Sequence, residues 1–138
     1  MTSYFLFSHR NQLIDIQEIA IQRNHSEADD GLEGAVREGA IGVLDYIIEQ
    51  PEWVPELSAD VKKYAAFVLY TIATQHPFSQ ANKRTAFAAA ENCILLCGMG
   101  ISAKDETIDM FMRSVANGDQ TLEDVEKWIT IHIVDKTD

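Results

Sequence analysis

Nine residues lie between two apolar runs of this chain: His76-Pro77-Phe78-Ser79-Gln80-Ala81-Asn82-Lys83-Arg84. The run before them extends from Val61 to Ala73, and the run after them from Thr85 to Cys97. Apolar residues recur at helical spacing in both runs, so the pattern predicts a helix, a short loop and a second helix. Residues 76–84 are called the motif below.

Within the motif, two cations follow an asparagine. Asn82 is a favoured N-cap residue, which would place Lys83 and Arg84 in the first turn of the second helix. A helix N-terminus already carries partial positive charge, and cations there cost about 0.3–1 kcal/mol each. A bound phosphate would remove this conflict, because helix N–H groups and basic side chains both hold it. The motif therefore predicts an anion site beside His76, with a solvated Lys-Arg pair as the alternative.

The order of these residues resembles the signature of the Fic/Doc family, His-x-Phe-x-x-Ala-Asn-Lys-Arg-Thr-Ala, over residues 76–86. Lys83 resembles the Doc (death-on-curing toxin) branch in particular. Fic proteins proper usually carry glycine at that position and a second arginine where this chain has Phe87. A looser resemblance extends from about Leu13 to Ile133.

One position of the motif differs from the family pattern. The family carries Asp or Glu where this chain has Gln80, and that carboxylate holds the Mg²⁺ that bridges the nucleotide phosphates. A neutral amide oxygen is a poor substitute for a carboxylate towards a hard divalent cation. The resemblance assigns Gln80 to the metal position, and the substitution makes both Mg²⁺ binding and catalysis open questions.

Length and composition limit the classes of protein to consider. With 138 residues, 46% hydrophobic and 24% charged, the chain fits one domain over residues 1–138. A net charge of −11 argues against binding DNA or RNA. Apolar runs such as Ala65 to Ala73 are too short to cross a membrane, and residues 1–7 lack the features of a signal peptide. We expect a cytoplasmic protein that binds neither nucleic acid nor membrane.

Hydrophobic periodicity predicts an all-α fold of about six helices around a central, buried motif helix. Besides the two runs that flank the motif, the predicted helices cover Asn11 to Arg23, Val36 to Ile48, Asp105 to Ala116 and a segment that starts at Thr121. A small β element is expected, if anywhere, near the N-terminus or in the flap described below, and Tyr4 to Phe7 is predicted to form either a strand or an extended arm that packs on the domain.

Local signals predict how these helices begin and end. Pro51 is expected to end the second helix, and Trp53 to pack its indole onto the core. Ser58 is expected to cap the helix that leads to the motif. Thr121 with Asp124 three residues later predicts a capping box at the last helix.

Residues Asn24 to Gly34 have no periodicity and are predicted to form a mobile loop. In Doc-like proteins the corresponding segment resembles a flap beside the active groove, where a target segment docks. Arg37-Glu38-Gly39 is similar to a pattern near that flap, which makes Arg37 a candidate site residue. An ordinary surface arginine is the alternative interpretation.

The resemblance implies a phosphotransferase that moves a phosphoryl group from ATP to a protein Ser or Thr hydroxyl. His76 would be the general base, Asn82, Lys83 and Arg84 would hold the phosphates, and Phe78 with Ala81 would shape the loop. As a Doc-like toxin, the protein would act on a target such as a translation elongation factor and would be held inactive by an antitoxin.

Two alternatives remain open from the sequence. Loss of the carboxylate at Gln80 is also compatible with a catalytically impaired domain that binds a nucleotide or a protein. A nucleotidyl (AMP) transferase is the third interpretation.

Overall fold

The computed structural model describes residues 4–23 and 34–136. In these ranges the chain forms seven helices and one two-stranded sheet, in the order α1 (Arg10–Arg23), α2 (Ile41–Trp53), α3 (Pro55–Ala59), α4 (Val61–Gln75), α5 (Asn82–Leu96), β1 (Met99–Ile101), α6 (Asp105–Ala116), α7 (Leu122–His132), β2 (Ile133–Asp135). The predicted all-α class is confirmed. The predicted flap, apart from Gly34, lies outside the described residues.

Two helices, α4 and α5, form the centre of the bundle. Ten of the fifteen residues of α4 are buried, and six of the fifteen residues of α5. Small residues on both helices permit close approach of the two backbones: Ala65, Ala66, Ala86, Ala89 and Ala90 are all at most 1% exposed. Helix α7 packs against α4, and α1 packs against α5. The motif thus connects the two central helices, and its loop is anchored to the core at both ends.

Both strands of the sheet belong to the C-terminal part of the chain. Strand β1 runs antiparallel to β2, with Gly100 opposite Val134. No strand forms in the described part of the N-terminus, where Phe5 and Phe7 instead bury their rings about Tyr64 at centroid distances of 6.1 and 6.3 Å. The alternative of an N-terminal arm that packs on the domain is therefore the correct one.

Helix α2 differs from its prediction at both ends. It begins at Ile41 rather than near Val36, because Val36 forms a β-bridge with Phe78 of the motif. It also continues through Pro51 to Trp53. Proline lacks the N–H that would bond to the carbonyl of Ile47, and the hydroxyl of Tyr64 donates to that oxygen instead, at 3.3 Å.

Two further local predictions are wrong, and one is confirmed. Trp53 ends α2 with its side chain 77% exposed, so it does not anchor the connection to the core. The cap of α4 is Asp60, whose carboxylate accepts from the Lys62 amide, whereas Ser58 lies in α3 and donates to the Pro55 carbonyl. The capping box of Thr121 and Asp124 is present.

Among the described residues, no helix combines the length and the apolar character that crossing a bilayer requires.

Candidate active site

The loop between α4 and α5 consists of residues 76–81 and has a left-handed residue at each end. His76 caps the C-terminus of α4 with φ 50°, and Ala81 precedes α5 with φ 64°. For a residue with a Cβ atom this conformation costs on the order of 1–3 kcal/mol, and it persists only where surrounding contacts impose it. The loop must therefore be held by partners outside itself.

Asn82 supplies one of these contacts. Its amide oxygen accepts from the Phe78 N–H, and its amide nitrogen donates to the Phe78 carbonyl, both at 2.9 Å. The prediction that Asn82 is the N-cap of α5 is wrong: Ala81 takes that position, and Asn82 is the first helical residue. Its side chain is turned back to close the loop, and the Phe78 ring below it is fully buried.

A second contact comes from Gln17 on α1, which the sequence analysis missed. Its side chain is 0% exposed; the amide oxygen accepts from the Gly34 N–H at 2.6 Å, and the amide nitrogen donates to the Gln80 carbonyl at 3.3 Å. Buried polar groups need such partners. The available signal was its position on the apolar face of α1, four residues from both Leu13 and Ile21, which are themselves buried.

The third contact is the segment that follows the flap. The Ser79 amide donates to the Ala35 carbonyl at 2.9 Å, and the Arg37 amide donates to the Pro77 carbonyl at 2.7 Å. These bonds flank the bridge between Val36 and Phe78. The segment thus runs antiparallel to the loop, and these hydrogen bonds hold the loop backbone in place.

A cleft of about 350 Å³ opens over the N-terminus of α5. The residues that line it are His76, Gln80, Ala81, Asn82, Lys83, Arg84 and Asp109. Six of these seven belong to the motif, so the structure brings together the sequence-predicted base, phosphate-binding residues and metal position. Phe78 lies in the core beneath, and Arg37 contacts the loop without lining the cleft.

Positively charged groups lie at the α5 end of this cleft. The first amides of a helix have no intrahelical acceptor, and among the described residues no side chain caps α5. Lys83 is exposed, and Arg84 is half-buried with its guanidinium 3.5 Å from the Ala20 carbonyl. Helix α4 also begins with two lysines, but there the Asp60 carboxylate provides the negative charge. At α5 an external anion would fill that role.

Asp109 of α6 is the carboxylate among the lining residues, and the sequence analysis did not select it. It forms an ion pair with Arg113 at 3.1 Å. Gln80 offers only a neutral amide, and the described residues contain no group of three or more His, Cys, Asp or Glu arranged to hold a metal. These side chains do not fit a metal site built by the protein alone.

A larger groove of about 680 Å³ adjoins the cleft between α1, α5 and α6. It shares Lys83, Arg84 and Asp109 with the cleft and continues over apolar residues such as Ile16 and Phe87. A ligand with its anionic end in the cleft would therefore find an apolar surface next to it.

Among known protein families, the model of the Fic/DOC family matches residues 7–94, more than half of the chain. A comparison with curated proteins gives no match. The matched range begins before α1 and ends within α5, so it includes the whole motif and Gln17.

Proposed function

The chain belongs to the Fic/DOC family, and on that premise we propose that it is a Doc-type protein phosphotransferase that acts as the toxin of a toxin–antitoxin module. Members of this family are typically transferases. The observation that carries the proposal is the cleft in which a histidine, two cations and an uncapped helix N-terminus meet.

His76 is the general base of the proposed reaction. Its imidazole takes the proton of a Ser or Thr hydroxyl on the target protein while the hydroxyl oxygen forms a bond to the γ-phosphorus of ATP. The bond between that phosphorus and the bridging oxygen breaks, and ADP leaves with the electron pair. Exposure of His76 at the cleft supports this role, because a protein hydroxyl must reach the ring from outside.

Lys83, Arg84 and the first amides of α5 hold the phosphates. A lysine provides a point charge and an arginine a planar, two-pronged donor, so the pair complements a tetrahedral anion. Donors fixed before the reaction stabilise the charge that develops on the transferred group. The loop contacts of Asn82 and Gln17 support this proposal, since they hold the backbone that carries the donors.

Two positions favour phosphoryl over nucleotidyl transfer. Lys83 stands where nucleotidyl-transferring relatives usually carry glycine, and Phe87 stands where they carry a second arginine. Phe87 lines the larger groove and adds apolar surface there instead of a phosphate ligand. The first target to test is a translation elongation factor, and the expected regulator is an antitoxin protein.

Gln80 favours a second candidate function. Because the cleft residues do not build a metal site, any metal would be held chiefly by the nucleotide phosphates. If transfer in this family depends on the carboxylate that Gln80 replaces, the chain is a nucleotide- or protein-binding domain without turnover.

Labelled ATP tests the proposed reaction. The protein is incubated with an elongation factor and ATP labelled in either the γ- or the α-phosphate. We expect label on the target from γ-labelled ATP only. His76→Ala should lower the rate by about 10²- to 10⁴-fold, the usual contribution of a general base, while ATP affinity is retained.

His9→Ala is the matched control, because His9 is exposed near the start of α1 and does not line the cleft. It should transfer at the wild-type rate. Label from the α-phosphate would identify a nucleotidyl transferase. ATP binding without transfer to any target would support the impaired binding domain.

A further inference from the structure

Arg37 binds the end of α4 through its side chain as well as the loop through its backbone. Its Nε donates to the His76 carbonyl at 2.8 Å, and its Nη2 donates to the Gln75 carbonyl at 3.0 Å. The last carbonyls of a helix lack intrahelical donors and carry partial negative charge. The guanidinium group therefore donates to two carbonyls at the end of α4 that have no donor within the helix.

His76 needs this kind of support. Its backbone is left-handed, with φ 50°, although it is not a glycine. On one side its N–H donates to the Ile72 carbonyl at 3.1 Å, and on the other its C=O accepts from Arg37. Helix α4 and Arg37 thus fix the two peptide groups that flank the imidazole.

The side chain of His76 has no comparable anchor. It is exposed, and within residues 4–23 and 34–136 the structure shows no hydrogen bond to its ring. The region that the ring can reach is therefore set mainly by the position of its backbone. Arg37, for its part, does not line the phosphate cleft, so a direct contact with bound phosphate does not explain its placement.

We propose that Arg37 is a positioning residue that acts through His76: by binding the carbonyls of Gln75 and His76, its guanidinium fixes the backbone from which the imidazole meets the cleft. The inference deepens the proposed function, since it concerns the residue assigned there as the base. It predicts that loss of Arg37 impairs the proton-transfer step and spares phosphate binding.

Three variants separate the charge of Arg37 from its geometry. Arg37→Ala removes both, Arg37→Met keeps an apolar side chain of similar reach, and Arg37→Lys keeps the charge but not the planar fork. Arg10→Ala is the matched control. Arg10 is a partly exposed arginine that joins two parts of the fold, through an ion pair with Asp45 at 3.3 Å.

The first measurement requires no catalytic activity. Amide hydrogen exchange, followed by NMR, reports opening of the loop at Ser79, whose N–H bonds to the Ala35 carbonyl. We expect Arg37→Ala to speed exchange at Ser79 roughly tenfold and the His76 ring signals to broaden or shift, because local opening follows local contacts. Arg10→Ala should change neither.

The second measurement is the kinetics of transfer from ATP. We expect Arg37→Ala and Arg37→Met to lower kcat by about 10²-fold with KM for ATP nearly unchanged, because small displacements of a catalytic group have effects of that size. Arg37→Lys should recover part of the loss. The melting temperature of each variant is measured in parallel, and rates are compared per folded molecule.

Unchanged Ser79 exchange and His76 signals in Arg37→Ala would overturn the inference. It would also be overturned by faster exchange with an unaltered kcat, since Arg37 would then serve the fold alone. If the wild-type protein transfers no phosphate, the proposed function fails, but hydrogen exchange and the ring signals still decide whether Arg37 positions His76.

Discussion

Asn82 contributes to the candidate site mainly by shaping it. Both polar atoms of its side chain bond to the backbone of Phe78, so its amide is engaged before any ligand arrives. In the proposed function, phosphate binding at this position would therefore fall to the backbone at the start of α5. Its neighbour Ala81 holds the left-handed conformation that turns the chain into that helix.

Gln80 is the residue whose replacement tests the role of a metal. It lines the cleft with Asp109, so Gln80→Glu would place a second carboxylate there. Because Mg²⁺ is bound by one or two carboxylates together with phosphate oxygens, we expect this variant to bind ATP more tightly when Mg²⁺ is added. Calorimetric titration of ATP with and without Mg²⁺ measures the difference.

Gln50→Glu is the control for Gln80→Glu, since it adds the same charge on α2 to a residue that does not line the cleft. It should leave the effect of Mg²⁺ on ATP binding as in the wild type. An identical response of Gln80→Glu and Gln50→Glu to Mg²⁺ would show that position 80 is not a metal position in this chain.

At the scale of elements, periodicity predicted α1, α4, α5, α6 and α7 because each buries one face against the core. A helix was also predicted at α2, but local signals misplaced both of its ends, because contacts with distant residues decide them. Pro51 leaves the Ile47 carbonyl without its helical donor, and the replacement donor is Tyr64, from another helix. Val36 likewise lies outside α2, because it pairs with Phe78, which is distant in the sequence.

Because the Tyr64 hydroxyl takes the place of the helical donor that Pro51 lacks, we expect the effects of mutating Tyr64 and Pro51 on stability to be coupled. The Tyr64 hydroxyl donates to the Ile47 carbonyl and accepts from the Phe7 amide, and burial raises the pKa of Tyr64 well above its ordinary value, so the proton is retained. We expect Tyr64→Phe to lower the free energy of unfolding by about 1–3 kcal/mol, because two buried backbone groups lose their partner.

Pro51→Ala restores an N–H that can bond to Ile47. We therefore expect Tyr64→Phe to cost less in the Pro51→Ala background than in the wild type, a non-additivity of the kind that a double-mutant cycle measures. Urea denaturation of the four proteins gives the cycle. Strictly additive changes in unfolding free energy would show that the Tyr64 hydroxyl does not substitute for the missing helical donor.

At the scale of the whole molecule, the sequence predicted which residues line the candidate site better than which residues hold them in place. The motif residues are contiguous, so any fold that makes residues 76–81 a loop brings them together. Asp109 and Gln17 come from α6 and α1, and their proximity to the motif follows only from how those helices pack on α5. Arg37 was selected through its resemblance to a flap pattern, but its contact with α4 could not be seen in the chain.

The proposed function requires that the cleft at the N-terminus of α5 binds the phosphates of ATP. A direct test measures the dissociation constant of ATP by calorimetry for the wild type, Lys83→Ala and Lys62→Ala. Lys83 and Lys62 are each the second residue of a central helix, α5 and α4, but only Lys83 lines the cleft. This makes Lys62→Ala a control for both charge and helical position.

We predict that the wild type binds ATP and that Lys62→Ala binds it equally well. Lys83→Ala should weaken binding about tenfold or more, as expected for the loss of a charge-assisted hydrogen bond of about 1.5–3 kcal/mol. Absence of ATP binding by the wild type, or equal weakening by the two lysine substitutions, would contradict a phosphate site at the start of α5.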